Sequence, residues 1–208
     1  MSRLVIIASG PSTTDDDIER VRNARCDVLV INENYLRAPW ADYCYGTDVD
    51  WWEHHGSKMA SLFQGELLTI TDVNDGTGQD KRYAKVINDY NMTGIVGCNG
   101  VGLRTEKDKI YFNGNSTGAA MNWAYHKGYD TIILLGVEMK GKQPQEYTNH
   151  AFPDREECFK RRGVDYVGFR DALDKLVRDL RHHGVTVINC SRNSALKSVP
   201  YTPIEEVL

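Results

Sequence analysis

Small and polar residues follow the first apolar run of the chain, and together they could hold an anion. Ser9-Gly10-Pro11-Ser12 comes directly after the apolar residues 4–8. Gly10 lets the backbone approach a ligand closely, Ser12 offers a hydroxyl, and the amides of such a loop can surround an anion. The same residues also suit an ordinary tight turn. Because Asp15, Asp16 and Asp17 follow and compete with a phosphate for the positive end of a helix, a base or ribose contact suits this loop better.

A second candidate for anion binding is the segment Asn115-Ser116-Thr117-Gly118. Ser116 is predicted to be the N-cap of a helix that continues through His126 to Gly128. The free amides at a helix start suit a phosphate, and Gly118 is small enough for a ligand or a neighbouring strand to lie close. Ordinary capping by Ser116 accounts for the same residues equally well. We expect a ligand phosphate near Thr117 and Gly118.

Two carboxylates at Asp48-Val49-Asp50 could bind Mg²⁺ or Mn²⁺. This spacing resembles the DxD element with which many glycosyltransferases hold a metal-bound sugar nucleotide. The alternative is a capping box, in which Thr47 and Asp50 stabilise the start of a helix. The cysteines and histidines are too scattered for zinc ligation. The sequence therefore assigns no metal ligand, and Mg²⁺ or Mn²⁺ stays an alternative cofactor.

A long polar segment, residues 138–164, carries the first candidate for acid–base chemistry. His150 lies in it, and an imidazole can accept or donate a proton near neutral pH. Tyr147 and Glu138 are weaker candidates for the same role. Asp48 is the second candidate catalytic residue.

The elements that must position these residues are apolar, β-branched strands that alternate with helices. This alternation predicts a single Rossmann-like α/β domain over residues 1–208, with a mostly parallel, doubly wound sheet and a lid-like insertion at 138–164. In such sheets the ligand lies beyond the carboxyl ends of the strands. We therefore expect Asn32, Gly136 and Glu138 to join Ser9-Gly10-Pro11-Ser12 and Ser116-Thr117-Gly118 in one nucleotide pocket. Residues 71–109 resist assignment, and the predicted strands are 4–8, 27–31, 41–46, 67–70, 110–112, 131–136 and 185–189.

Length, composition and charge narrow the class of protein. The 208 residues are the length of one domain, and the 41% hydrophobic and 26% charged residues are typical of a folded, soluble chain. No apolar run approaches the roughly 20 residues that a bilayer requires. The net charge of −4 argues against wrapping duplex nucleic acid. Five scattered cysteines predict reduced thiols and a cytoplasmic protein.

The order of these segments resembles the bacterial sialyltransferases that use CMP-sugar donors, and phage-encoded relatives of that Rossmann-like fold. The glycine-proline-serine loop also resembles that of the archaeal pterin pyrophosphokinases. The first resemblance implies a nucleotide pocket with the donor phosphate near Thr117 and Gly118. The segments that carry it are Val5-Ile6-Ile7-Ala8-Ser9-Gly10-Pro11-Ser12, Val30-Ile31-Asn32-Glu33-Asn34-Tyr35, Thr117-Gly118, Gly128-Tyr129, Ile132-Ile133-Leu134-Leu135-Gly136-Val137-Glu138, and Asn189-Cys190-Ser191 with Ser194.

The chain departs from the sialyltransferases at three positions. Ser9 stands where they have an asparagine, and Phe169 follows Gly168 where they have a catalytic histidine. Their acceptor-binding arginine is matched by the region of Gly114 and Asn115. We therefore expect a glycosyltransferase-like protein that passes a sugar from a nucleotide sugar to a hydroxyl acceptor, with His150 as base.

Two alternatives stay open from the sequence. One is a non-catalytic module that binds or sequesters a nucleotide. The other is Mg²⁺-dependent transfer or hydrolysis of a nucleotide diphosphate at Asp48. A homo-oligomer is compatible with either, and a phage-encoded chain would act in the host cytoplasm.

Overall fold

A computed structural model describes residues 2–71, 80–140 and 165–208. Within them the chain forms eight strands and five α-helices. The strands are β1 Arg3–Ile7, β2 Asp27–Ile31, β3 Tyr43–Tyr45, β4 Glu66–Thr71, β5 Thr93–Cys98, β6 Lys109–Tyr111, β7 Thr131–Leu135 and β8 Thr186–Asn189. The helices are α1 Asp15–Asn23, α2 Val49–Leu62, α3 Asp80–Asp89, α4 Ser116–His126 and α5 Tyr166–His182.

All eight strands belong to one sheet, in the order β6-β5-β4-β3-β2-β1-β7-β8. Every neighbouring pair is parallel. The central strands β1 and β7 are buried on both faces, which is why they are continuous apolar runs rather than alternating ones. The predicted doubly wound α/β fold is confirmed, and within the described residues the sheet is entirely parallel.

Right-handed crossovers place α1, α2 and α3 on one face of the sheet and α4 and α5 on the other. Accordingly α2 packs against α3, and α4 packs against α5. The connection from β2 to β3 differs from the others, since it contains a 3₁₀ turn, Asn32–Leu36, in place of an α-helix. Helix α4 is buried from Thr117 to Ala124, and its small residues let it lie close to the sheet.

Local signals set the ends of several helices as predicted. Thr14 caps α1, and the Thr14 and Asp17 side chains bond reciprocally to backbone amides in a capping box. Gly128 and Gly184 follow α4 and α5 with φ of +83° and +81°, the left-handed conformation that ends a helix.

Two elements lie in the stretch that resisted assignment, α3 and β5. Tyr83, Val86, Ile87 and Tyr90 have the i, i+3, i+4, i+7 spacing of one helix face, a signal that could have identified α3. The glycines of β5 weaken its strand pattern. The proposed lid lies outside the described residues except for its first three positions. No helix of the described ranges has the length and apolar composition needed to cross a membrane.

Candidate functional site

The order of strands reverses between β1 and β7, at the middle of the sheet. From β1 the chain runs outward to β6 on one side, and it then returns to form β7 and β8 on the other side. The loops that follow β1 and β7 therefore lead to helices on opposite faces of the sheet. Ligands of open α/β sheets bind at such a switch point. Ser9-Gly10-Pro11-Ser12 and Gly136 follow these two strands.

At this switch point, the close contact between the two loops leaves no room for a side chain on Gly10. Its N–H donates to the carbonyl oxygen of Gly136 at 2.9 Å. A Cβ on Gly10 would lie 1.5 Å from Oε2 of Glu138 and 2.4 Å from the Gly136 oxygen. Gly136 has a φ of +73°, and a Cβ there would lie 2.4 Å from the oxygen of Ala8. Contact between two loops of the chain accounts for both glycines, whatever ligand comes near.

The Glu138 carboxylate occupies the position beside this loop that an anion would take. Its Oε1 accepts hydrogen bonds from the Ser12 N–H at 3.0 Å and from the Ser12 hydroxyl. Glu138 is 9% exposed. A carboxylate bound to the amide and hydroxyl before α1 opposes a second anion there. The Glu138 side chain is directed to Ser12. Its contact with a ligand stays a prediction.

Beside this loop, Asp17 and Arg192 form a second carboxylate contact. Arg192 Nη1 and Nη2 lie 2.5 Å and 2.9 Å from Asp17 Oδ2 and Oδ1, and Nη1 also donates to the Ser12 carbonyl at 3.1 Å. Burial raises the pKa of Asp17, but hydrogen bonds from Arg192 and Thr14 outweigh it and hold the pKa below its ordinary value. Sequence analysis missed Arg192, because its partner is distant in the chain.

The end of β2 contributes two asparagines to the same sheet edge. Asn32 has a φ of +51°, which is uncommon for a residue other than glycine, and its side chain is half-buried. Asn34 is buried, and its Nδ2 donates to Ile31 O at 3.1 Å and Ser9 Oγ at 3.3 Å. Asn34 therefore joins the β2 loop to the β1 loop. Sequence analysis singled out Asn32 but not Asn34.

Helix α4 begins one residue earlier than a cap at Ser116 would require. Asn115 is the N-cap, because its backbone is extended and its Oδ1 accepts from the Gly118 N–H at 2.9 Å. Ser116 is already helical, so the prediction that Ser116 caps the helix is wrong. Its Oγ lies 3.1 Å from Thr47 Oγ1. Thr117 is buried, and a Cβ on Gly118 would lie 2.4 Å from Cβ of Asn113.

The loop after β3 meets the start of α4 through Thr47. Besides Ser116, the Thr47 hydroxyl contacts the Tyr45 hydroxyl at 3.2 Å, and the Tyr83 hydroxyl donates to the Thr47 carbonyl at 2.8 Å. Burial, and then the nearby Asp48 carboxylate, raise the pKa of Tyr83 to about 12. Tyr83 therefore stays a neutral hydrogen-bond donor. It belongs to α3, the helix that sequence analysis did not assign.

The capping box expected at Thr47 and Asp50 is absent. Asp48 is the N-cap of α2, and no side-chain cap bond is present. Asp50 instead lies 2.5 Å from Arg82, which also contacts Glu53 at 2.5 Å. The Asp50 carboxylate is thus held by a guanidinium, which does not fit the pair of free carboxylates that a DxD metal site requires. The described residues contain no cluster of three acidic, histidine or cysteine side chains that could hold a metal ion.

Among the candidate bases, Glu138 and Asp48 lie at the carboxyl edge of the sheet. His150 and Tyr147 lie outside the described residues. His126, His182 and His183 lie at the ends of α4 and α5 that lead into β7 and β8, hence at the opposite sheet edge.

Phe169 lies beside the start of α4. A Cβ on Gly114 would be 3.0 Å from two atoms of its ring. An apolar ring therefore borders the helix start at the position where the sialyltransferase resemblance implied a histidine.

Comparisons with known proteins add no family to this picture. No protein-family model matches the chain, and neither a curated protein nor a solved structure is significantly similar to it. The residues gathered at the carboxyl edge of the sheet are therefore the basis for inferring a ligand.

Proposed function

We propose that the chain binds a nucleotide-activated sugar along the carboxyl edge of β1, β2 and β3 and transfers the sugar to a hydroxyl acceptor. The observation that carries this proposal is the start of α4, where the Ser116 and Thr47 hydroxyls meet at 3.1 Å beside free helix amides. Adjacent strands are about 4.8 Å apart, so β1 and β3 are separated by about 10 Å. That distance is comparable to the length of a nucleoside.

Charge favours one end of this edge for the phosphate. The amide groups of Ser116 and Thr117 donate to no acceptor among the described residues, and the first turn of α4 contains no acid. The first turn of α1 contains three acids, and the loop before it already holds Glu138. A phosphate is therefore stabilised at α4 and opposed at α1. This arrangement leaves the nucleoside for Ser9-Gly10-Pro11-Ser12 and Asn32.

The transfer itself needs a base and a leaving group. The acceptor oxygen attacks the anomeric carbon of the sugar and forms the new glycosidic bond. The bond from that carbon to the phosphate oxygen breaks, and the nucleotide leaves with the electron pair. A base takes the proton of the acceptor hydroxyl, and we assign this role to His150. Asp48 lies next to Thr47 at the same edge and is proposed to orient the reacting groups.

Calorimetric titration against nucleotide sugars with one and with two phosphates tests the proposal. We expect binding, and Ser116→Ala should weaken it about tenfold or more, because a hydrogen bond to a charged group contributes roughly 1.5–3 kcal/mol. Ser61→Ala is the matched control, since Ser61 Oγ donates to the Lys58 carbonyl at 2.8 Å near the end of α2 that is far from Thr47. Absence of binding to every nucleotide and nucleotide sugar would refute the proposal.

A second candidate function is nucleotide binding without chemistry. The observation that favours it is the Phe169 ring beside Gly114, which cannot accept a proton. A protein that retains intact nucleotide sugar after prolonged incubation with acceptors would have this function. The third candidate, phosphate transfer through Mg²⁺ at Asp48, requires activity that EDTA abolishes. It gains no support from Asp50, which is held by Arg82.

A further inference from the structure

A surface groove of about 570 Å³ lies on the face of the sheet opposite to α4, between α1 and the end of α2. It exists because the β2–β3 connection has a 3₁₀ turn, Asn32–Leu36, where the neighbouring crossovers have α-helices. Trp40 and Leu62 contribute apolar surface to the groove, and Leu62 is 47% exposed. The remaining lining is mostly charged or polar, and it includes Glu19, Arg22 and Arg37.

The α1 wall of the groove carries opposite charges at its two ends. Glu19 and Arg22 both line the groove, one turn apart, with acids in the first turn of the helix and arginines in the last. Glu19 and Arg22 are more than half exposed, and they approach each other to 3.8 Å. Arg22 also lies 5.9 Å from the Trp40 ring centre. The Glu19 carboxylate also accepts from Asn23 Nδ2 at 3.0 Å, and exposed pairs of this kind contribute little energy.

This distribution of charge is complementary to itself. If two α1 helices pack antiparallel about a twofold axis, Glu19 of each copy faces Arg22 of the other. In this arrangement the two helix dipoles are antiparallel, which is electrostatically favourable. A twofold contact repeats each interaction, so a single residue pair is counted twice. We propose that the groove beside α1 is the contact between two copies of this chain.

The groove is small compared with the interface of a stable dimer. A stable interface buries about 800 Å² on each partner, which takes some 20–30 residues a side. The groove and the exposed face of α1 supply fewer residues than that. We therefore expect a weak, transient dimer. Sedimentation velocity of the full chain over about 1 to 100 µM should show a concentration-dependent shift from monomer to dimer.

Charge exchange tests which surface forms the contact. Glu19→Arg alone and Arg22→Glu alone each place like charges opposite one another twice, and each should weaken the dimer about tenfold or more. An equimolar mixture of the two variants restores opposite charges at both contacts, and so does the double variant Glu19→Arg/Arg22→Glu. Both should dimerise as the parent chain does.

Matched controls change the same charges on the neighbouring face of α1. Asp16→Arg and Arg20→Glu should leave the dimer unchanged, and circular dichroism should show that every variant is folded. A chain that stays monomeric over the whole concentration range overturns the proposal. So does a dimer that survives either single variant, or a mixture that fails to restore it. Because no nucleotide takes part, this outcome is independent of the proposed function.

Discussion

Replacing Gly10 by alanine tests the close approach of the β1 and β7 loops. The added Cβ would lie 1.5 Å from Glu138 Oε2 and 2.4 Å from the Gly136 oxygen. The carboxylate can move at low cost, because it ends a flexible side chain. The backbone oxygen cannot, and it is the acceptor of the Gly10 N–H. Overpacking of this kind costs up to about 3 kcal/mol.

A compensating effect lowers this cost. Alanine restricts the unfolded chain more than glycine does, which offsets roughly 0.4–1 kcal/mol. The free energy of unfolding should therefore fall by about 2 kcal/mol, and the melting temperature by about 4 to 8 °C. Urea unfolding followed by far-UV circular dichroism measures the first quantity, and a thermal scan measures the second.

The double variant Gly10→Ala/Glu138→Ala separates the two contacts. Removing the carboxylate relieves one overlap but not the other, so we expect a coupling energy of about 1 kcal/mol between the two substitutions. Gly128→Ala is the control. Gly128 has a φ of +83° and no atom within 4 Å of its added Cβ, so that variant should lose about 1 kcal/mol with no coupling to Glu138. A cost below about 0.5 kcal/mol for Gly10→Ala would refute this account of the loop.

Asp17, Tyr83 and His150 give three further tests of the candidate site and of the proposed transfer. Asp17 has a lowered pKa in the folded chain, so its contribution to stability is complete above its unfolded pKa and is lost as the pH falls through the folded pKa. Arg192→Met should remove much of this acid-range dependence and cost about 3 kcal/mol near neutral pH, since it leaves a buried carboxylate without its cation and with the Thr14 amide as its donor; an unchanged stability–pH profile would count against the Asp17–Arg192 pair. Tyr83→Phe should lower the free energy of unfolding by about 1 kcal/mol, as the bond to the Thr47 carbonyl is lost, and titration should show weaker nucleotide binding; equal affinity would separate Tyr83 from the site. His150→Ala should reduce sugar transfer while donor affinity stays nearly constant, and an unchanged rate would remove His150 from the mechanism.

The sequence was most informative where the deciding interaction is local. The capping box of α1 joins Thr14 to Asp17, three residues away, so its pattern is visible in the chain. The buried strands of a parallel sheet are likewise visible as continuous apolar runs, and β1, β2 and β7 follow the prediction closely. The edge at which loop residues meet follows from alternating strands and helices.

Predictions were wrong where a side chain had two partners to choose from. Asp50 and Ser116 each stood where capping would be expected. In the fold, Asp50 pairs with Arg82, which is 32 residues away, and Ser116 contacts Thr47, which is 69 residues away. Asn115 then caps α4 in place of Ser116. Nothing in the order of residues says which partner is nearer.

By itself, the sequence determined the class of fold and the edge of the sheet that could hold a ligand, because both follow from hydrophobic pattern and chain direction. Only the tertiary structure decided which side chains meet at that edge. It brought Glu138 to Ser12 across 126 residues, and it brought Ser116 to Thr47 across 69. The free energy of an anion depends on every charge within a few ångströms, and those neighbours come from distant parts of the chain.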